Sequence, residues 1–199
     1  MDLDPIIRAV QTAVGVDSDG RPGTDTWTAI YKKVVPNKAL PAESTAAVDD
    51  RSEGVIATLL PEVRPYARAL IGKAAAAGII IKVISGLRTY DEQNDLYAQG
   101  RGKPGRIVTN ARGGYSNHNF GIAFDIGVFE SGKYLDESPK YKAVGALGTD
   151  LGLEWGGNWK TIQDEPHFQL RPRWAADLSE RDMLAELRSR KDSGKAVYA

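Results

Sequence analysis

A carboxylate set inside an apolar run constrains this chain more than any other feature. Ile122-Ala123-Phe124-Asp125-Ile126 has the composition of a buried strand, and an ionised Asp125 within it carries a large desolvation cost unless a cation meets it. Whatever fold forms must bring that cation to the strand, either as an arginine in a salt bridge or as a metal ion. Cysteine is absent and histidine occurs twice, at His118 and His167, so a metal site here has to use imidazole and carboxylate. A lone histidine ordinarily fills a core position or sits on the surface. These two each lie beside small or apolar residues and near a carboxylate, and two His with one Asp match the three N or O ligands of a catalytic zinc that keeps one position for water.

The flanking segments set the fold class. Ile6, Ile7, Val10 and Val14 recur at helical spacing and predict a short amphipathic helix ending near Gly15. Val16 to Gly23 is dense in turn formers, and Thr24 is placed to cap a second helix carrying Trp27, Ile30 and Tyr31. Pro, Ala, Ser, Thr and charge without apolar periodicity mark a linker up to Ser52. Beyond it, Pro65 to Ala77 predicts a helix stopped by Gly78, and the β-branched run Ile79 to Ile84 a buried strand. A helix over Asp91 to Gln99, a glycine-rich loop over Gly100 to Gly114, and a strand over Gly121 to Val128 follow. Then come a helix over Lys140 to Leu147 and a short strand over His167 to Leu170. Ser179, with Asp182 three residues on, opens a last amphipathic helix. The expectation is a small all-helical module over residues 1–36, a linker over 37–52, an α+β domain over 53–175, and a C-terminal helix and tail over 176–199.

Charge removes one class of partner. Lys and Arg number 26 and so do Asp and Glu, leaving no net field to attract a polyanion, so nucleic acid is not an expected partner. The start, Met1-Asp2-Leu3-Asp4-Pro5, lacks the basic and apolar regions of a secretory signal, and no run of ~18 apolar residues occurs anywhere. The expectation is a monomer made in the cytoplasm without membrane insertion. Asp17-Ser18-Asp19-Gly20 is not a calcium loop, because counting from Asp17 puts Pro22 and Thr28 where an EF-hand needs Gly and Glu.

Several ordered segments then point to one family. Ser116-x-His118-x-x-Gly121-x-Ala123-x-Asp125, followed by acid-x-Pro166-His167-Phe168, resembles the zinc D,D-carboxypeptidase and L-alanyl-D-glutamate endopeptidase family, which includes VanY-type enzymes and many phage endolysins. Ser85-Gly86-Leu87-Arg88-Thr89-Tyr90-Asp91-Glu92-Gln93, Leu96 to Arg101, Val108 to Ala111 and Glu154-Trp155-Gly156-Gly157 are similar to segments of its endopeptidase branch. The resemblance spans roughly Ser52 to Leu170.

It implies a compact α+β zinc peptidase domain with a small antiparallel sheet, Zn2+ held by His118, Asp125 and His167, Asp164 as proton carrier, and Arg88 steadying the developing oxyanion. Arg88 has an ordinary structural salt bridge as its competing reading. Glu165 competes with Asp164, because in a regular strand Glu165 would share a face with His167, although Pro166 argues against such a strand. Tyr115 and Ser116 are candidates to orient His118 by a hydrogen bond, and Trp155 and Trp159 either wall the cleft or fill the core. The implied activity is hydrolysis of the peptide stem of bacterial peptidoglycan, at the L-Ala to D-Glu bond, after release by a holin-like route, lysis or specialised export. The alternatives are a D,D-carboxypeptidase or dipeptidase of the same fold, or a non-catalytic cell-wall-binding protein. The N-terminal segment resembles a peptidoglycan-binding domain but is short, without a clear third helix.

Overall fold

The computed structural model describes residues 3–23, 26–27, 29–30, 47–160 and 163–199. The chain divides into two compact units, residues 1–40 and 41–199. In the first, α1 (Asp4–Val14) starts with proline in its first turn and ends where Gly15, at φ 82°, turns its N–H back onto Gln11 and Thr12. Ile7, Val10 and Val14 are half-buried, but Ile6 is exposed and the buried side chain is Gln11. Its amide donates to Asp19 Oδ1 (2.7 Å), Thr26 Oγ1 and the Arg21 carbonyl, and accepts from Gly20 N–H. One polar side chain thus pins the turn-rich loop. Thr24, expected to cap the next helix, lies outside the described residues; residues 26–27 and 29–30 are helical.

The second unit is α+β. It contains α2 (Asp50–Ile56), α3 (Arg64–Ala76), β1 (Ile80–Ser85), α4 (Tyr90–Ala98), β2 (Ala123–Glu130), β3 (Lys133–Leu135), α5 (Lys140–Leu151), β4 (Glu154–Trp155), β5 (His167–Gln169) and α6 (Glu180–Ser193). The sheet is antiparallel, in the order β1-β2-β5-β4, with β3 also on β2. β2 is the hub, and its register sets Asp125 opposite His167 on one neighbour and Ser85 on the other. Phe124 and Phe168, side by side in that pairing, stack at 5.9 Å with neither exposed. α5 lies on these rings because it offers no side chain there: a Cβ on Gly148 would overlap Phe168, and one on Gly145 would overlap Trp155.

Two features differ from the sequence expectation. The linker reading overran to Ser52, whereas α2 already begins at Asp50, capped by Asp49, which accepts from Ser52 N–H and Ser52 Oγ–H (2.6 Å). The buried Ser52 Oγ in turn accepts from Val83 N–H in β1. β3 and β4 are too short for a periodicity to register. The main core gathers Ile56, Leu59, Leu70, Val83, Ile126 and Val144; a second cluster places Met183, Leu184 and Leu187 of α6 against Phe120 and Ile122. Among the described residues no helix is long and apolar enough to cross a membrane.

Candidate metal centre

Three elements deliver the ligand candidates. After β1, residues 86–89 run beside a single 3-10 turn, Asn117–Phe120, and the two are fastened by Arg88 N–H to the His118 carbonyl (3.1 Å) and by the buried Asn119 amide to the Arg88 carbonyl (3.0 Å). Gly121, at φ 68°, reverses the chain from that turn into β2, a conformation open to glycine at little cost. β2 then carries Asp125, and β5 brings His167 across from it.

The three side chains meet at three atoms. His118 Nε2 lies 3.1 Å from Asp125 Oδ1 and 3.2 Å from His167 Nδ1, and His167 Nδ1 lies 3.2 Å from Asp125 Oδ1. Each imidazole spends its other nitrogen on an oxygen: His118 Nδ1 donates to the Gly86 carbonyl (2.8 Å), and His167 Nε2 to Gln169 Oε1 (2.9 Å). With both outer nitrogens protonated, the neutral rings turn lone pairs toward the carboxylate oxygen, and no donor lies among the three atoms. Only a cation or a proton resolves that convergence. Tetrahedral zinc with ligand bonds of about 2.0–2.1 Å spaces its ligand atoms by about 3.3–3.4 Å, close to the edges of this triangle. The donor set and the fixed tautomers therefore fit a zinc ion.

Asp125 meets the arginine that its sequence context left open and keeps its other oxygen for the point where a metal would sit. Oδ1 faces the imidazoles, while Oδ2 accepts from Arg88 Nη2 at 2.7 Å. Burial pushes the Asp125 carboxyl up, but His118 and then His167 outweigh it and hold it well below its ordinary value. Burial pulls the His167 imidazole down, yet the Asp125 carboxylate more than compensates and raises it. Arg88 also bonds Ser85 Oγ (2.8 Å) and Gln93 Oε1 (3.2 Å), so most of its fork is committed to holding the site. Gln93 carries that support onward to the Ala111 carbonyl (2.9 Å).

These residues open onto a cleft of about 1110 Å³. Asp164 lines it, half-buried, and burial followed by the Asp125 charge raises its carboxyl above the ordinary value. Glu165 is not among the lining residues. β5 begins only at His167, and residues 164–167 form a tight turn closed by His167 N–H to the Asp164 carbonyl, so strand alternation does not apply there. Gly156 admits the turn: a Cβ would overlap the Asp164 carbonyl and crowd His167. The paired tryptophans divide their work. Trp155 packs on the core, donates to the Glu165 carbonyl (2.7 Å) and also reaches the cleft, while Trp159 lines the cleft with its ring 4.8 Å from that of His167.

Another wall joins two motifs that are neighbours in sequence, Leu96 to Arg101 and Val108 to Ala111. Arg101 lies over Tyr97 and donates to the Thr109 carbonyl (3.0 Å) and Asn110 Oδ1 (2.6 Å), fixing the extended segment 107–111 along the cleft. The candidates for orienting His118 are corrected: the Gly86 carbonyl does it, while Tyr115 is exposed against Arg188. Sequence reasoning also missed Gln169 and Asn119. Gln169 was findable, because two residues after His167 on a strand is the same face; Gly86 acts through its backbone and left no signal.

Comparison with known proteins gives consistent matches. A family profile described as D-alanyl-D-alanine carboxypeptidase matches residues 109–170. The peptidoglycan L-alanyl-D-glutamate endopeptidase CwlK of Bacillus subtilis (strain 168) is 39% identical over 124 residues, covering 57% of this chain and 74% of that protein. The L-alanyl-D-glutamate peptidase of Listeria phage A118 is 30% identical over 123 residues, covering 60% of this chain and 40% of that one. Among solved structures, the Serratia marcescens L-Ala D-Glu endopeptidase ChiX aligns with a TM-score of 0.46 at 28% identity, covering 61% of this chain and 87% of that one.

Proposed function

The chain belongs to the D,D-carboxypeptidase and L-alanyl-D-glutamate endopeptidase family of peptidoglycan peptidases, and on that premise we propose that it is a zinc enzyme cutting the L-Ala to D-Glu bond of the peptide stem. The observation that carries the reading is the convergence of His118 Nε2, Asp125 Oδ1 and His167 Nδ1 on one point at the floor of a cleft. Those three atoms would hold the zinc, which when bound supplies Lewis acidity toward the scissile carbonyl and the attacking water.

The remaining work falls to the chain's own groups. Asp164, its carboxyl raised by burial, takes the proton from the attacking water and hands it to the leaving amine, work suited to a group whose affinity for protons lies above that of an ordinary carboxylate. Arg88 fixes the orientation of Asp125 and presents its positive charge at the cleft, where it favours an oxyanion. Trp159 and the 107–111 segment line the cleft and would exclude water from a bound stem peptide.

The choice of bond draws its support from the endopeptidase relatives and from the Gln99-Gly100-Arg101 and Glu154-Trp155-Gly156-Gly157 segments. Mass spectrometry of digested peptidoglycan tests it. A new N-terminal D-Glu is the expected product, and release of D-Ala alone would make the protein a D,D-carboxypeptidase. The first unit, with Trp27 60% exposed, is proposed to hold the enzyme to the wall. A protein lacking residues 1–40 should sediment less with purified walls while still cutting soluble stem peptides. The full chain acts as a monomer, which sedimentation equilibrium checks.

A further inference from the structure

Beside the ligands runs a chain of polar groups, buried at Gln169 and Asn117 and reaching the cleft surface at Glu154, Arg171 and Glu180, that the cleavage chemistry does not use. His167 Nε2 donates to Gln169 Oε1 (2.9 Å), and Gln169 Nε2 donates to Glu154 Oε2 (2.6 Å). Asn117, adjacent to His118, donates its Nδ2 to Gln169 Oε1 and to Glu180 Oε1. Arg171 closes the circuit, pairing through Nε with Glu154 and through Nη2 with Glu180 Oε2 (2.9 Å). Gln169 is fully buried and Asn117 is 4% exposed.

An amide taken alone can be turned either way, but this network has ends that cannot. A carboxylate only accepts, so Glu154 compels Gln169 to offer its NH2 and leaves Oε1 facing His167. His167 must then carry its hydrogen on Nε2, which frees the Nδ1 lone pair for the point shared with His118 and Asp125. Glu180 imposes the same polarity on Asn117, whose Oδ1 is left buried without a partner. An orphaned acceptor is unfavourable, and its presence is the consequence of an orientation fixed from elsewhere. Glu180 is the first residue of α6, so the C-terminal helix belongs to this support.

We propose that Glu154, acting through Gln169, sets the tautomer of His167, with Arg171 and Glu180 holding that relay in place. These are positioning residues of the metal centre. The inference rests on His118, Asp125 and His167 being the ligands.

Two readouts on the full chain test it: zinc affinity by competition with a chromophoric chelator, and long-range 1H–15N spectra of the zinc-free imidazoles at a pH above the histidine range. Two histidines make those spectra assignable. The parent is expected to bind zinc and to show His167 protonated at Nε2. Gln169→Leu should weaken zinc binding by roughly 10–100-fold, the usual worth of a group that orients a metal-bound histidine, and shift His167 toward the Nδ1-protonated form. The double change Glu154→Gln with Gln169→Glu keeps every donor facing an acceptor, and should retain the parent tautomer and an affinity within about threefold of the parent, short of the roughly 10–100-fold loss just cited. Circular dichroism of each zinc-free protein separates these effects from unfolding. A folded Gln169→Leu with parental tautomer and affinity overturns the relay, and so does a folded double variant that loses zinc tenfold or more. Should Gln169→Leu not fold, the double variant decides. A parent that takes up no zinc would instead refute the assignment of the ligands, leaving the relay to be judged on the tautomer spectrum.

Discussion

Replacing Asp164 with alanine separates the proposed proton carrier from the proposed ligands. Asp164 lines the same cleft as His118, Asp125 and His167, yet it is not one of the three groups whose ligand atoms converge. Its removal should leave zinc bound at one ion per chain while slowing turnover by ~10²–10⁴-fold, the range associated with general acid–base catalysis. The backbone contacts of the turn do not depend on the side chain, because Asp164 N–H bonds the Gly156 carbonyl and the Asp164 carbonyl accepts from His167 N–H. The turn should therefore persist, and a loss of rate would report chemistry. Glu165→Ala is the control. The Glu165 carbonyl that receives Trp155 Nε1 survives the change, so its rate should stay near that of the parent. The assay is release of new N-termini from purified peptidoglycan, read beside zinc content. If Glu165→Ala abolishes turnover and Asp164→Ala stays near the parent at equal zinc loading, the proton carrier is Glu165 and the reading of the turn is refuted.

Arg88→Ala should weaken zinc affinity by roughly 10–100-fold as well as slow the reaction, because it strips Asp125 Oδ2 of its partner; parental affinity in a chelator competition would remove Arg88 from the support of the site. Leu187→Ala, at a position with no exposure in the cluster under Phe120, should cost about 2–5 kcal/mol, seen as a lower midpoint in urea unfolding of the zinc-free protein. Asp49→Ala removes the cap of α2 and should cost about 0.5–2 kcal/mol at neutral pH. Burial pushes the Asp49 carboxyl up, but the Ser52 hydroxyl and N–H outweigh it and leave it below the ordinary value. A carboxyl lowered by folding stabilises above its unfolded value and loses that contribution as pH falls through the folded one. Parent and variant should thus converge in acid, and a gap that widens on acidification would contradict the capping role.

What the sequence determined by itself is the inventory of the site and the kind of elements that bear it. Asp125 in an apolar strand demanded a cation, and with no cysteine and two histidines few ligand sets were available. Local chemistry also settled most elements: the β-branched run became β1, the Ser179 start became α6, and Gly15 and Gly78 ended helices at positive φ. Those outcomes depend on residues close together in the chain, where propensity and periodicity act. The tertiary structure decided everything that depends on register and on backbone atoms. It set Asp125 against His167 across β2 and β5, gave the Gly86 carbonyl the task of orienting His118, and made a turn of the segment where alternation had brought Glu165 forward. It also showed how Asp125 can serve an arginine without giving up a metal, by giving Oδ2 to Arg88 and turning Oδ1 toward the imidazoles. A carboxylate has two oxygens, and which partner each one meets depends on strand pairing between residues far apart in sequence.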